Sequence, residues 1–415
     1  MNLRTVSLAL AAIVTTSATL MLGGCYNPRT GVEFAEKSGK DYYRELPPGA
    51  YALRKITDPR MIPDFTSAFE DTSELDRAVT HSIRYMNKPS SKTFFPMSGI
   101  SHQQVLDSLT EFKALLQQGG TPAELNKKLR ETFDVYISVG CDDQGTVLFT
   151  GYYTPIFDAS LTQTGEFKHP LYKLPPNHVK DPITGETKGR KRSDGTIDPN
   201  YPDRAGLMAS GELKGLELVW FKDPVEAYVV SVQGSAILKL PNGKQMEIGY
   251  AGTNGHDYSS IGMALVKAGK LKREELNLKR IMDYFKANPA DFDKYANLNK
   301  RYIFFQEASG GPFGTLNERV LARRSIATDK SIFPRGSICF IDTTLPNESG
   351  SQRPFKGFVC DQDAGGAIRA PGRCDVFMGV GDEAGRIAGR TMAEGRMYYL
   401  IKKDAKDTPR ASLSK

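Results

Sequence analysis

Three observations predict a mainly β protein with accessory helices (α+β), organised as two domains. The chain has 415 residues, enough to bury more than one core. Its 39 glycines and 24 prolines supply more turns than a helical bundle uses. Apolar residues alternate with period two around 133–153 and again around 228–250, whereas helix-like spacing is confined to the stretches before and after those tracts. The 40% hydrophobic and 25% charged content is an ordinary globular balance. The formal charge of +7 is spread along the chain, which argues against nucleic acid and gives weak support to an anionic polymer such as cell wall.

In chain order, Leu8–Leu22 is apolar, follows Arg4 and leads into Gly23-Gly24-Cys25. It is too short for a membrane span and reads as an export signal occupying residues 1–24. Cys25 directly after Leu-Gly-Gly is similar to the lipobox of bacterial lipoproteins, in which the cysteine carries the lipid. Tyr26, where inner-membrane retention uses Asp, resembles lipoproteins sorted to the outer membrane. Residues 25–60, with Pro28 and Pro47-Pro48-Gly49, are expected to be a tether. Ser73–Tyr85 and Gln103–Gln118 carry apolar stripes at helical spacing, and Thr121-Pro122-Ala123-Glu124 is a capping box with Pro at the first helical position, opening a helix through Leu129.

From Phe133 the period is two, with Asp142-Asp143-Gln144-Gly145 as the expected hairpin turn before the Val147–Tyr153 strand. Residues 174–204 read as a polar loop with a basic cluster at Lys188–Arg192. Tyr228–Val232 and Ala236–Leu240 read as strands, Asn242-Gly243 as a tight turn and Met246–Tyr250 as the return strand. Lys279–Ala287 is helical up to Asn288-Pro289, and Tyr302–Glu307 is a strand. Four cysteines remain besides Cys25: Cys141, Cys339, Cys360 and Cys374. An even number in an oxidising compartment permits disulfides, a Cys360–Cys374 bridge among them, and they lack zinc-site spacing.

The chemistry is expected in Asp361–Gly389, where seven glycines and the aspartates Asp361, Asp363, Asp375 and Asp382 share 29 positions. Asp363 precedes Ala-Gly-Gly-Ala, whose backbone N–H groups can hydrogen-bond a carboxylate and hold it ionised. Asp375 lies between Cys374 and Val376, with Phe377 on its own strand face, so lost hydration is expected to raise its pKa and make it a general acid. Gln233, Thr253 and Asn254 offer amides and a hydroxyl, and Tyr250 and Tyr258 offer ring faces; both suit sugars. No Gly-x-Ser-x-Gly or His-Glu-x-x-His occurs, and the five histidines are scattered.

The run Asp-x-Gly-Gly-Ala-Ile with Val-Phe-Met-Gly-x-Gly and Glu-Ala-Gly-x-x-Ala-Gly strongly resembles the C-terminal "3D" segment of the membrane-bound lytic murein transglycosylase A family. Val232-Gln233-Gly234-Ser235 and Gly249–Tyr258 resemble its second signature, and Gly151–Pro155 its entry into an inserted domain. The resemblance covers residues 130–400 and departs at Leu316–Arg323, where the family is smoother. It implies a double-psi β-barrel domain over 61–150 and 256–403, an inserted second β-barrel-like domain over 151–255 forming the other wall of a glycan groove, and a flexible tail at 404–415.

The resemblance further implies a peptidoglycan exotransglycosylase. It needs no metal or cofactor, with glycan strands as substrate, other cell-wall proteins as partners, and the periplasmic face of the outer membrane as its place. Asp375 corresponds to the single catalytic aspartate, with Asp363 supporting it. Tyr153, Thr154, Gln233, Gly234, Ser235, Tyr250, Thr253, Asn254, Gln306, Asp329, Gly365, Gly366 and Ala367 are the expected substrate contacts. An inverting hydrolase using Asp363 or Asp329 as base, and a non-catalytic wall-binding lipoprotein, stay open as alternatives.

Overall fold

In the computed structural model, which describes residues 39–182, 185–272 and 276–404, the strands form two large sheets and one small one. β1 (Leu53–Lys55), β2 (Phe133–Ser138) and β3 (Val147–Thr154) begin the first sheet. The chain then builds a second body from β4 (Ile156–Ser160), β5 (His169–Tyr172), β6 (His178–Lys180), β7 (Thr187–Lys191), β8 (Ile197–Asp198), β9 (Glu217–Phe221), β10 (Ser235–Lys239), β11 (Gln245–Thr253) and β12 (Ile303–Ala308). It returns to the first sheet with β13 (Ser325–Ala327), β14 (Ile338–Pro346), β15 (Gln352–Asp363), β16 (Arg373–Val380) and β17 (Met392–Lys402).

The first sheet runs β1-β2-β17-β14-β15-β13-β16-β3, and β17 also pairs with β3. Six strands therefore close a barrel, with β2 and β1 extending from β17. The β13–β15 and β16–β3 pairs are parallel and the others antiparallel. Closure brings backbones close where β17 changes partner: a side chain at Gly395 would meet Asp342 O at 2.3 Å, so only glycine fits. Phe149, Ile341, Cys374, Val376, Met397 and Leu400 are buried in the barrel core. Helices Leu75–Met86, His102–Gln118 and Pro122–Thr132 lay their apolar stripes against it, with Phe112 edge-on to Phe358 at 5.0 Å. Both capping boxes, Ser101/Gln104 and Thr121/Glu124, form. One charged network is buried in the barrel: Asp361 pairs with Lys330 and accepts from Thr328 Oγ1 (2.8 Å) and Tyr399 OH (2.8 Å).

The second body is a six-stranded sheet, β12-β11-β10-β4-β9-β5, and a bridge between Lys173 and Phe305 brings its two edge strands together. The Asn242-Gly243 turn closes β10 onto β11, with Gly243 N–H donating to Leu240 O at 2.9 Å. Helix Pro224–Gln233 lies between two apolar clusters. Ala227 and Val230 pack against the sheet, while Val225, Tyr228 and Val229 pack under helices Ile261–Lys267, Leu278–Ala287 and Phe292–Ala296.

Several expectations are corrected here. Tyr228–Val232 is helix, because Asp223 caps Val225 N–H (2.8 Å), Pro224 starts the helix, and burial on both sides makes it apolar all round. The Asp142–Gly145 turn exists, but β2 pairs with β1 and β17 while β3 pairs with β16 and β17, so it joins no hairpin ladder. Residues 174–204 are not a bare loop. β6, β7 and β8 pair there, and three of the four cations of the basic cluster are ion-paired, in Lys188–Asp181 (2.7 Å), Arg190–Glu212 (2.9 Å) and Arg192–Asp198 (3.2 Å).

The expected boundary at 255/256 moves as well. β12 continues the second sheet antiparallel to β11, so the second body extends to Ala308. Part of the expected tether is anchored on the barrel: Tyr42 and Tyr43 are buried with Cys141 and Leu148, Arg44 Nε donates to Cys141 O at 2.6 Å, and Ala52 and Leu53 are buried where β1 joins β2. All four described cysteines are free and buried. Cys360 and Cys374 lie on β15 and β16 with β13 between them, about two strand spacings or ~10 Å apart, beyond the reach of a disulfide. The export segment, Cys25 and most of the tail lie outside the described residues.

Candidate functional site

β13 sets the geometry. Ala327 is registered against Asp363 of β15 on one side and Asp375 of β16 on the other, so the two aspartates face the same level of the barrel, their α-carbons about two strand spacings or ~10 Å apart. Strand alternation puts Cys374 and Val376 into the barrel core and turns Asp375 outward with Phe377. On the far side of β16, β3 runs parallel with Thr150 registered to Asp375.

Each carboxyl has its own set of partners. Thr150 Oγ1 donates to Asp375 Oδ1 at 2.8 Å and itself accepts from Arg373 Nη2 at 3.2 Å. Arg373 is fully buried, and its Nη1 donates to Leu148 O at 3.3 Å. Burial pushes the Asp375 pKa up to about 6; the Arg373 charge and the Thr150 hydrogen bond oppose that rise, and the nearby Asp363 carboxylate adds to it. Asp363 accepts from Tyr152 OH (2.7 Å), Thr315 N–H (2.9 Å) and Ala364 N–H (2.8 Å). Burial nonetheless outweighs these three donors and raises its pKa above the ordinary carboxylate value, against the direction in which the backbone amides act. Of the Ala364–Ala367 amides, only Ala364 N–H reaches it.

Both carboxyls open on a cleft of about 1490 Å³ lined by the barrel, by β10 and β11 of the second sheet, and by the loop after β12. Tyr153, Thr154, Gln233, Gly234, Ser235, Tyr250, Thr253, Gln306, Gly365, Gly366 and Ala367 all line it. Gln233 Oε1 accepts from Tyr153 N–H (3.2 Å) and Thr154 Oγ1 lies 3.1 Å from Ser235 Oγ, which ties the end of β3 to the start of β10. Tyr250 presents a ring 42% exposed to the cleft.

Two expected contacts lie elsewhere. Asn254 is buried, bonded to Pro202 O, Lys300 O and Tyr302 N–H, and holds loops together. Asp329 is buried away from the cleft, accepting from Ser331 Oγ (2.6 Å) and Ala370 N–H (2.9 Å), with Arg369 at 3.7 Å. Its lone pairs are committed, so it is not placed to serve a reacting water. Sequence reasoning missed Thr150, Tyr152, Thr315 and Arg373. Arg373, two residues before Asp375 on one strand, had a period-two signal; the other three reach the site only through pairing and loop closure.

No group of described His, Cys, Asp or Glu side chains is arranged to hold a metal ion.

Comparison with known proteins identifies relatives of both domains. Residues 148–306 match the model of the MltA-specific insert domain and residues 324–401 that of the 3D domain. Membrane-bound lytic murein transglycosylase A of Escherichia coli K12 is 30% identical over 275 residues, 64% of this chain and 69% of that protein. The protein of that name from Vibrio cholerae is 30% identical over 267 residues, 63% of this chain and 67% of its own length. Among solved structures, a membrane-bound lytic murein transglycosylase from Agrobacterium tumefaciens superposes with TM-score 0.69 at 25% identity, covering 85% of this chain and 98% of that one. E. coli MltA with bound chitohexaose superposes with TM-score 0.65 at 23% identity, covering 88% and 98%, and supports the fold. With both domain models matched in order and relatives aligned over two thirds of their length, the chain belongs to the membrane-bound lytic murein transglycosylase A family.

Proposed function

We propose that this peptidoglycan lytic transglycosylase breaks the β-1,4 bond between N-acetylmuramic acid and N-acetylglucosamine with one aspartate, Asp375, as general acid and then base. Protonated Asp375 gives its proton to the glycosidic oxygen as the bond to the muramyl C1 breaks. The ionised carboxylate then takes the proton of the muramyl C6 hydroxyl, whose oxygen attacks C1 and leaves a 1,6-anhydro end. No water is consumed, and the internal nucleophile is held close enough that a second carboxyl need not activate one.

The observation that carries the reading is the state of Asp375: at the cleft wall, with a pKa of about 6, one carboxyl holds or releases a proton near neutrality. Asp363, with three donors on its oxygens, supports it by fixing the loops around the cleft. A second reading, a hydrolase in which Asp363 activates a water, is favoured by its position at the same level as Asp375 with one strand between them. Mass analysis of fragments released from purified sacculi separates the two. Products lighter than hydrolysis products by one water, lost in Asp375→Asn, are expected; ordinary reducing ends would overturn the transglycosylase mechanism.

The anchor belongs to the same proposal. Among the described residues no helix is long and apolar enough to cross a membrane, whereas Cys25 follows a short export-like segment and the relatives are named membrane-bound. A lipid on Cys25 would hold the cleft at the outer membrane's periplasmic face, within reach of the wall and other wall enzymes. Cys25→Ser should move the protein from the membrane to the soluble fraction, and unchanged fractionation would reject the anchor.

A further inference from the structure

Arg301 lies in the loop leading into β12 and lines the cleft. A guanidinium stays charged and carries five donors. Here one of them, on Nη1, donates to His256 O at 3.1 Å, and no carboxylate lies within ion-pair distance among the described residues. Burial works against its charge, Arg369 adds a second positive charge nearby, and Tyr250 and the exposed Asp257 are the groups that favour it. Nε and Cζ lie against Gly366: a side chain there would stand 3.3 Å from Nε, so this close approach depends on glycine. Gly366 is three residues from Asp363, at most about 11 Å along the chain. The cleft thus presents, against the loop that follows Asp363, a cation without an ion-pair partner whose nearest negative charge is the exposed Asp257, with the Tyr250 ring close by. Neutral sugar hydroxyls do not call for such a charge; an anionic substituent does.

On the reading of the cleft as a glycan site, on which this rests, we infer that Arg301, with Arg369 beside it, is a carboxylate-binding subsite for the acidic substituent on O3 of a muramyl residue bound against the Asp363–Gly366 loop. Two sources carry that chemistry: the lactyl carboxylate itself where the stem peptide has been removed, and a free carboxylate of the stem where it is present. Binding one of them would distinguish muramyl-containing strands from chitin-like chains and set which residue enters next to Asp375.

The test is binding in an Asp375→Asn background, with and without Arg301→Gln, to three probes: chitohexaose, peptide-free glycan strands and stem-bearing strands. Loss of roughly ten- to a hundredfold in affinity for carboxylate-bearing strands is expected, with chitohexaose changed less than about twofold. Greater loss on peptide-free strands assigns the lactyl carboxylate; greater loss on stem-bearing strands assigns the stem. Equal loss on all three probes, or none, overturns the subsite. Arg301→Lys should recover part of the affinity. Should Arg301→Gln fail to fold, salt titration of the Asp375→Asn parent decides: weakening on carboxylate-bearing strands alone supports the subsite, and parallel curves reject it. Product release by the Asp375→Asn parent would fault the catalytic assignment and is read separately from affinity.

Discussion

Thr150→Val keeps the shape of the β3 side chain and removes one hydroxyl from the Arg373–Thr150–Asp375 chain of contacts. That hydroxyl donates to Asp375 Oδ1 at 2.8 Å and therefore favours the ionised carboxyl. A hydrogen bond to a charged group contributes about 1.5–3 kcal/mol, and one pKa unit corresponds to about 1.4 kcal/mol, so its loss should raise the Asp375 pKa by roughly 1–2 units. The starting value is about 6. Bond cleavage needs the protonated form, so activity falls as pH rises through this pKa, and in the variant that fall should begin roughly 1–2 units higher. The assay is kcat/KM for release of soluble muropeptides from sacculi as a function of pH, which reports the free enzyme. An alkaline limb at the same pH in both proteins would refute the argument, and so would a shift toward acid. A lowered maximum without a shift would reduce Thr150 to a packing residue.

Two further outcomes follow from the buried charges. Asp375 has its folded pKa raised from 3.8 to about 6, so the folded state binds its proton more tightly than the unfolded chain; the stability this gives is present below the unfolded value and lost as pH rises through about 6. Asp375→Asn should accordingly be more stable than the wild type above that pH by up to about 3 kcal/mol, with the difference closing in acid, and thermal melts at both ends of the range check it. Lys330→Met leaves the fully buried Asp361 without its cation and should cost about 3–5 kcal/mol in urea unfolding, whereas Lys330→Met with Asp361→Leu should recover most of the loss; equal loss in both would assign the effect to packing instead.

Where local chemistry decides, the sequence was legible. The capping box at Thr121, the Asn242-Gly243 turn and the strand face that Asp375 shares with Phe377 all depend on residues within a few positions of one another. Legibility ended where a partner from elsewhere decided the outcome. Tyr228–Val232 has β-branched strand character but is enclosed by two apolar clusters, which a helix fills. Asn254 and Asp329 carry functional-looking side chains whose hydrogen bonds are spent on loops. For Asp363 the neighbouring amides were visible in the sequence, whereas the burial that opposes them was not. Thr150 became a site residue only when β3 paired in parallel with β16.

The two walls of the cleft are joined by only two stretches of chain. One is β3 itself, which passes through Pro155 straight into β4 and carries Thr150 and Tyr152, the hydroxyl donors to Asp375 and Asp363. The other is the return from Ala308 to Ser325, which carries Thr315, another donor to Asp363. Any hinge motion that widens the cleft for a bulky polymer must be absorbed by those same two links. Because β3 is paired with β16 and β17 along the stretch that carries Thr150 and Tyr152, those two donors stay with the barrel wall, and the chain between the walls is left to Pro155 and the 308–325 return.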